Sequence, residues 1–391
     1  MNKIIKVLAV TGIRSEYDIL FPVLSELENN QCFDLSVVVS GAHLSDWHGN
    51  TLNKIEEDCF KVVDRLDSLF MTSRTTQRAK GLGILTYSLA QTVERINPDF
   101  LLVLGDREES MATALVGNYM NILVAHIAGG DPVYGNADDP VRFAVSKLSH
   151  IHFAFAKEYA KNLKKIGEDS FRIFNVGNPS LYNVYNTSKI SINVLKKYLK
   201  NDIKKEKYIV LIKHSLSSEK EKAYKQMEIT LKAMSIFYEK TGVKVIGIAP
   251  NTDPGSFDIG IAIENYENSE GISFYQTLPR EIFVNLLRNT LALSGNSSMG
   301  FLEALAYKLP VVNIGNRQRG RLNPGNVEFV DYDINNIVSS LEKACFDKKY
   351  RSYIKGLENP FGEGDSPSKI VNILKGISLG ESKWYVKKKL C

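Results

Sequence analysis

The stretch Phe100–Ile127, FLLVLGDREESMATALVGNYMNILVAHI, reads as strand, turn, helix, strand. Phe100–Leu104 is an unbroken apolar run that ends abruptly in Gly105-Asp106. Ser110–Tyr119 predicts a helix, and Leu123–Ile127 is apolar again. A strand with no polar alternation is covered on both faces, which is the signature of a parallel sheet between helical layers. Working outward toward the N-terminus, the same alternation gives a strand at Ile4–Val10 and a helix at Tyr17–Glu28. It then gives a strand at Leu35–Val39 and a helix at Leu82–Arg95. Toward the C-terminus a second series follows Asn178-Pro179. Strands are expected at Tyr208–Ile212, Val243–Ile248, Leu291–Leu293 and Val311–Ile314. Helices are expected at Glu221–Thr241, Arg280–Arg288 and Met299–Ala306, with a last one at Ser366–Ile377. Thr187–Lys207, rich in Lys and Asn, reads as a surface passage between the two series.

A chain of 391 residues exceeds what one core usually supports. The fold class is therefore α/β, with two Rossmann-like doubly wound domains in tandem. Residues 1–180 form the first and 181–365 the second, with ligands expected where strand C-termini face a shared crevice. The formal charge of +5 is small and spread along the chain, which argues against a nucleic-acid partner. Lys387-Lys388-Lys389 reads as a solvated tail. Cys32, Cys59, Cys345 and Cys391 contain no CxxC pair, which fits a reducing compartment and neither zinc nor disulfides. Ile4–Val10 is too short and too charged for a signal segment, and no apolar run approaches the ~20 residues that span a bilayer. A cytoplasmic protein with no membrane partner is the expectation.

Four strand-end segments carry more polar groups than a connection needs. In Thr11–Tyr17 a glycine turn opens a helix, and Arg14 adds a fork for phosphate. The segment lacks GxGxxG, so no nicotinamide cofactor is indicated. In Leu104–Glu109, Asp106 stands one step past a buried strand beside Arg107, either as an acid–base group or as a cap for the following helix. In His126–Asp131, paired glycines allow close backbone approach to a ligand and lead straight to Asp131. Further on, Asp138 and Arg142 are four apart, with one of Asp138 and Asp139 expected as the N-cap. His150 and His152 alternate as strand neighbours do and have no third ligand nearby, so no metal site is expected. Ser294–Ala304, SGNSSMGFLEA, reads strand, small polar turn, helix: Ser297 and Ser298 suit a diphosphate, and Glu303 suits ribose hydroxyls. Arg317, in the NRQRGR loop, adds charge. His214 in Lys213–Ser215 and Asn251 in Pro250–Gly255 leave two further strands as binding candidates.

At these residues the chain resembles the UDP-N-acetylglucosamine 2-epimerase family, and most closely its hydrolysing branch, which feeds sialic- and legionaminic-acid-type synthesis. The matching stretches are Thr11–Tyr17, Gly41–Thr51 (GAHLSDWHGNT), Leu104–Arg107 (LGDR), His126–Asp131 (HIAGGD), Asp138–Arg142 with Ser146–Ser149, Gly295–Glu303 (GNSSMGFLE) and Asn316–Arg321 (NRQRGR). They run in order along nearly the whole chain. The resemblance implies a GT-B-like architecture with the active site between the domains, and a C-terminal segment, 366–391, packing back on the first domain. It implies that Arg14, His214, Ser297, Ser298, Glu303 and Arg317 grip UDP. It also implies that Asp106, Asp131 and Asp138 are the carboxylates around the sugar, with Arg107, Arg142 and His43 close by, and that the protein is a homodimer. One departure is Ala128, where the family often carries glutamate.

The chemistry agrees with that class. C2 of a sugar nucleotide is not next to a carbonyl, so its configuration changes only after a neighbouring carbon is oxidised or the C1 nucleotide is expelled. Without a nicotinamide fingerprint, elimination is the available route, followed by hydration to the free 2-epimer. The substrate is UDP-N-acetylglucosamine or UDP-N,N′-diacetylbacillosamine, the space at Ala128 favouring the second. A non-hydrolysing epimerase, a GT-B glycosyltransferase and a silent UDP-sugar-binding protein are the other readings.

Overall fold

The computed structural model describes residues 3–46, 49–70, 76–133, 138–205, 207–250, 254–266 and 269–386. The backbone groups into two units. The first takes Met1–Pro132, Asp138–Tyr182 and Phe361–Cys391; the second is built on Asn183–Pro360.

In the first unit the strands are β1 (Ile5–Thr11), β2 (Phe33–Ser40), β3 (Val62–Leu66), β4 (Phe100–Leu104), β5 (Leu123–Ile127), β6 (Ile151–Ala154) and β7 (Ile173–Asn175). They form one parallel sheet in the order β3-β2-β1-β4-β5-β6-β7. The second unit holds β8 (Tyr208–Ile212), β9 (Lys244–Ile248), β10 (Ile272–Tyr275), β11 (Leu293–Gly295), β12 (Val311–Ile314) and β13 (Val327–Val330). These are also parallel, in the order β10-β9-β8-β11-β12-β13. Both sheets follow the doubly wound pattern, in which the order reverses beside the first strand. The reversal falls between β1 and β4 in one unit and between β8 and β11 in the other. Loops leaving those neighbours diverge to opposite faces, and the gap they leave is where such sheets bind ligands.

The apolar runs behave as read: every residue of β4, β5 and β8 is buried. The helix Thr76–Ile96 lays Leu85, Leu89 and Val93 on the first sheet, four residues apart and fully buried. Truncating either leucine to alanine would cost about 2–5 kcal/mol. Phe361–Cys391 returns to the first unit. The Asn178 N–H donates to the Phe361 carbonyl at 2.8 Å, and Ser366 Oγ donates to the Val176 carbonyl at 2.8 Å. The Arg172 guanidinium, 1% exposed, donates to the carbonyls of His150, Lys383, Trp384 and Val386 at 2.6–3.1 Å.

Some elements differ from the sequence reading. Thr187–Lys207 is not a plain surface passage. It contains the helix Ile192–Leu199, capped by the Ser191 hydroxyl, which buries Leu195 and Leu199. The helix expected over Met299–Ala306 stops at Leu302 and resumes as a 3-10 turn at Ala304, because Glu303 leaves helical geometry at φ −131°. The helix after β5 begins at Asp138, and the residues before it, with the Asp138 side chain, lie outside the described residues. Among the described residues no helix is long and apolar enough to cross a membrane.

Candidate active site

The first unit gathers its polar residues at the ends of β1, β2, β4 and β5. Gly105, at φ +81°, turns the chain as β4 ends, and Asp106 follows. The helix after it, Glu108–Tyr119, has Arg107 at its N-cap position with no side-chain cap. Asp106 is therefore not a cap. It pairs instead with Arg142, which arrives from the helix Asp138–Leu148. Arg142 is 5% exposed, donates to the Ala128 carbonyl at 2.9 Å, and stands 3.9 Å from the Asp131 carboxylate. Burial on its own would lower the Arg142 pKa, but the charges of Asp106 and Asp131 outweigh it and hold the guanidinium above its ordinary range. One buried cation thus ties together the loops after β4 and β5.

Ala128 brings its backbone into the same group. It takes φ +67°, unusual for a residue with a Cβ, and is 4% exposed, with its carbonyl turned to Arg142. His126 holds the same region from below: its Nε2 lies 2.8 Å from the Gly105 carbonyl and its Nδ1 3.2 Å from Ser146 Oγ.

His43 is fully buried between two hydroxyls, Thr11 Oγ1 at 3.0 Å and Thr51 Oγ1 at 2.6 Å. Burial, with Arg107 nearby, pulls its pKa down to about 4, so the ring is neutral and braces the loop after β2. Arg14 opens the helix Arg14–Glu28 with its Nε 3.5 Å from Asp18. The Asp138 side chain lies outside the described residues.

The second unit uses different chemistry at equivalent positions. Asn296 stands at the end of β11, where its Oδ1 accepts from the His214 N–H at 2.7 Å and its Nδ2 donates to the His214 carbonyl at 2.8 Å. This two-way bond fastens the ends of β8 and β11. Gly295 makes it possible: at φ +115° it packs against the Ile212 carbonyl where no Cβ would fit. The Asn296 carbonyl accepts from Gln318 Nε2 at 2.9 Å and from Arg317 Nη1 at 3.4 Å, which brings the NRQRGR loop to the same strand end. Ser297 and Ser298 lead into the short helix Met299–Leu302, and Glu303 ends it. Lys213 is 2% exposed, with Nζ 3.2 Å from the Tyr332 hydroxyl. Burial first, then Arg317, lowers its pKa to about 7. Asn251 lies outside the described residues.

The structure brings Asp106, Asp131 and Arg142 into one ion-paired group, and His214, Ser297, Ser298 and Arg317 to neighbouring strand ends. Sequence reasoning missed Asn296 as a separate contributor, although it sits inside the quoted GNSSMG turn. It also missed Lys213, whose burial is not visible in a Lys-His-Ser triplet. Among the described residues no group of three or more His, Cys, Asp or Glu side chains is placed to hold a metal.

Two parallel doubly wound sheets with polar groups concentrated at both reversal points define an α/β enzyme of the GT-B-like class. Residues 25–375 match the family described as UDP-N-acetylglucosamine 2-epimerase, and the chain belongs to that family. It is 32% identical over 374 residues to the hydrolysing UDP-N,N′-diacetylbacillosamine 2-epimerase of Legionella pneumophila, covering 96% of each chain. It is 29% identical to the hydrolysing GDP/UDP-N,N′-diacetylbacillosamine 2-epimerase of Campylobacter jejuni, again over 96% of each. Among solved structures it resembles the UDP-GlcNAc 2-epimerase of Neisseria meningitidis bound to UDP-GlcNAc, with a TM-score of 0.82 at 21% identity, covering 95% of this chain and 100% of that one. At that identity the structural likeness speaks to fold.

Proposed function

We propose that this chain is a hydrolysing 2-epimerase of a UDP-2-acetamido sugar, releasing UDP and the free 2-epimer. The observation that carries the reading is the Asp106–Arg142–Asp131 group at the ends of β4 and β5: two carboxylates from separate loops fixed by one buried guanidinium. One carboxylate takes the C2 proton. The C1–oxygen bond then breaks, its electron pair leaves with UDP, and a 2-acetamido glycal remains. Water adds to C1 while a carboxylic acid returns a proton to C2 from the opposite face. No redox cofactor is required, and none is proposed. Asp106, Asp131 and Asp138 are assigned to proton transfer, with Arg107 and Arg142 beside them and His43 bracing the loop. Arg14, His214, Ser297, Ser298, Glu303, Arg317 and Asn251 are assigned to UDP, whose departing charge suits cationic and hydrogen-bond-donating groups.

Between the two substrates, the Legionella and Campylobacter relatives support UDP-N,N′-diacetylbacillosamine. The product would then be the 4-acetamido-6-deoxy analogue of N-acetylmannosamine, a precursor for legionaminic-type acid synthesis in the cytoplasm. A homodimer is part of the same proposal, and light scattering of the purified protein checks it. The main test is turnover of each UDP-sugar in deuterated water. The expected result is free 2-epimer carrying one deuterium at C2, with diacetylbacillosamine the better substrate. A UDP-sugar as the product would show the non-hydrolysing reaction instead.

A further inference from the structure

Two glutamates that the proposed chemistry does not use lie behind the β1–β4 reversal point. Glu16 is in the first turn of Arg14–Glu28 and Glu109 in the first turn of Glu108–Tyr119; they are 8% and 4% exposed. The Glu109 carboxyl packs on the backbones of Gly12 and Gly41 so closely that a methyl group at either would overlap it. Glu16 Oε1 lies 3.7 Å from where a Cβ at Gly105 would stand. These glycines open the loops after β1, β2 and β4, and Gly41 and Gly105 take φ +57° and +81°. The pair is therefore the common floor of three of the loops that carry the site.

The charges around it do not balance. Arg107 faces the pair, with Nε 3.6 Å from Glu109 Oε2, but it is shared with Glu108 at 3.9 Å. Glu108 takes a second cation, Arg78, from the helix Thr76–Ile96. Of the other charges acting on Glu16, Asp106 and Glu108 are both negative; His43, whose backbone N–H donates to the Gly12 carbonyl at 3.3 Å, is neutral, and Arg14, on the helix of Glu16, lies 3.5 Å from Asp18. Two buried carboxyls with part of one guanidinium cannot both ionise cheaply, and such a pair retains a proton instead. Burial in both cases, joined for Glu16 by the charge of Glu109, holds both groups above the ordinary carboxylate range, Glu16 well above it.

We propose that Glu16 and Glu109 act as a pair that keeps one proton, Glu16 carrying it and Glu109 facing Arg107 as the anion, and that this pair sets the Gly12, Gly41 and Gly105 turns and, through the last, Asp106. They are positioning residues, both buried and packed against the glycine turns. The link to Asp106 rests on the function proposed above, whereas the proton kept on Glu16 does not. When that proton is lost, two like charges face each other in a dry site, and the three turns are pushed apart.

The test is a pH titration of unliganded protein by NMR, with labelled glutamate carboxyls and glycine amides, beside the pH profile of kcat. The expected result is one carboxyl titrating well above the ordinary range, with the Gly12, Gly41 and Gly105 amides shifting in step and kcat falling through the same interval. Glu16→Gln imitates the protonated state, so it should abolish that step and move the associated limb of kcat up by about one pH unit or more. Glu109→Gln strands Arg107 and should lower kcat at all pH values. Ordinary titration of both carboxyls, silent glycine amides, or a Glu16→Gln profile superimposable on the wild type would each overturn the proposal. A protein that shows the titration yet turns over no UDP-sugar would support the pair and sink only the assigned function.

Discussion

The two units share a scaffold and differ in charge. Both reverse strand order beside their first strand, and both put functional candidates on the two loops flanking that reversal. In the first unit those loops and their neighbour after β5 carry carboxylates: Glu16, Glu109, Asp106 and Asp131, threaded by Arg107 and Arg142. In the second, those loops and their neighbour after β12 carry two amides, a buried lysine and an arginine: Asn296, Gln318, Lys213 and Arg317. The lesson is that the sheet fixes where chemistry can sit, while a handful of loop residues decides its sign. One set suits moving protons, and the other suits holding an anion.

Substitutions can break that division, beginning with the largest expected effect. Asp106→Asn should lower kcat by about 10²–10⁴-fold while UDP binding, read by calorimetry, stays near wild type. Equal losses of both would place Asp106 with the nucleotide and blur the contrast. Arg142→Ala takes a buried guanidinium away from the Asp106 and Asp131 carboxylates, and should destabilise by about 3–5 kcal/mol in denaturant melts. The counterpart in the second unit is Asn296→Ala, which frees the ends of β8 and β11. It should cost about 1–3 kcal/mol and weaken UDP binding more than it alters proton transfer, measured as deuterium incorporation per turnover.

Lys213 gives a pH test confined to the second unit. Its folded pKa of about 7 lies below the ~10.4 of an unfolded lysine, so below pH ~7 folding carries the full cost of burying a charged amine. That cost fades as pH rises toward the unfolded value. Lys213→Met should therefore melt higher than wild type at acid pH, with the gap closing in alkali. The smallest effect is expected at Ala128, where Gly relieves the left-handed backbone and should change stability by no more than about 1 kcal/mol.

Much of this was legible because buried parallel strands write themselves as apolar runs. The bounds of β4, β5, β8 and β12 could be read directly, and Asp106 stood out as the first charge after such a run. Strands β10 and β13 did not stand out, being short and mostly half-buried, so their polarity is mixed. Arg142 was singled out for its spacing from Asp138, yet its partners Asp106 and Asp131 come from other loops, and no spacing rule reaches across a sheet. Asn296 was hidden for the same reason, since its work is a two-way bond to another strand. Glu109 hid differently: a glutamate in the first turn of a helix is ordinary, and only the glycine backbones folded against it make it unusual.

The segment after Phe361 carries a consequence for the order of events during synthesis. The first unit is discontinuous, and the second is inserted within it. A ribosome therefore finishes the later unit before the earlier one can close. Until Lys383, Trp384 and Val386 emerge, Arg172 lacks three of the carbonyls that satisfy it, and Asn178 and Val176 wait for Phe361 and Ser366. A nascent chain stopped at residue 360 should contain a protease-resistant second unit attached to a first unit that is still digestible.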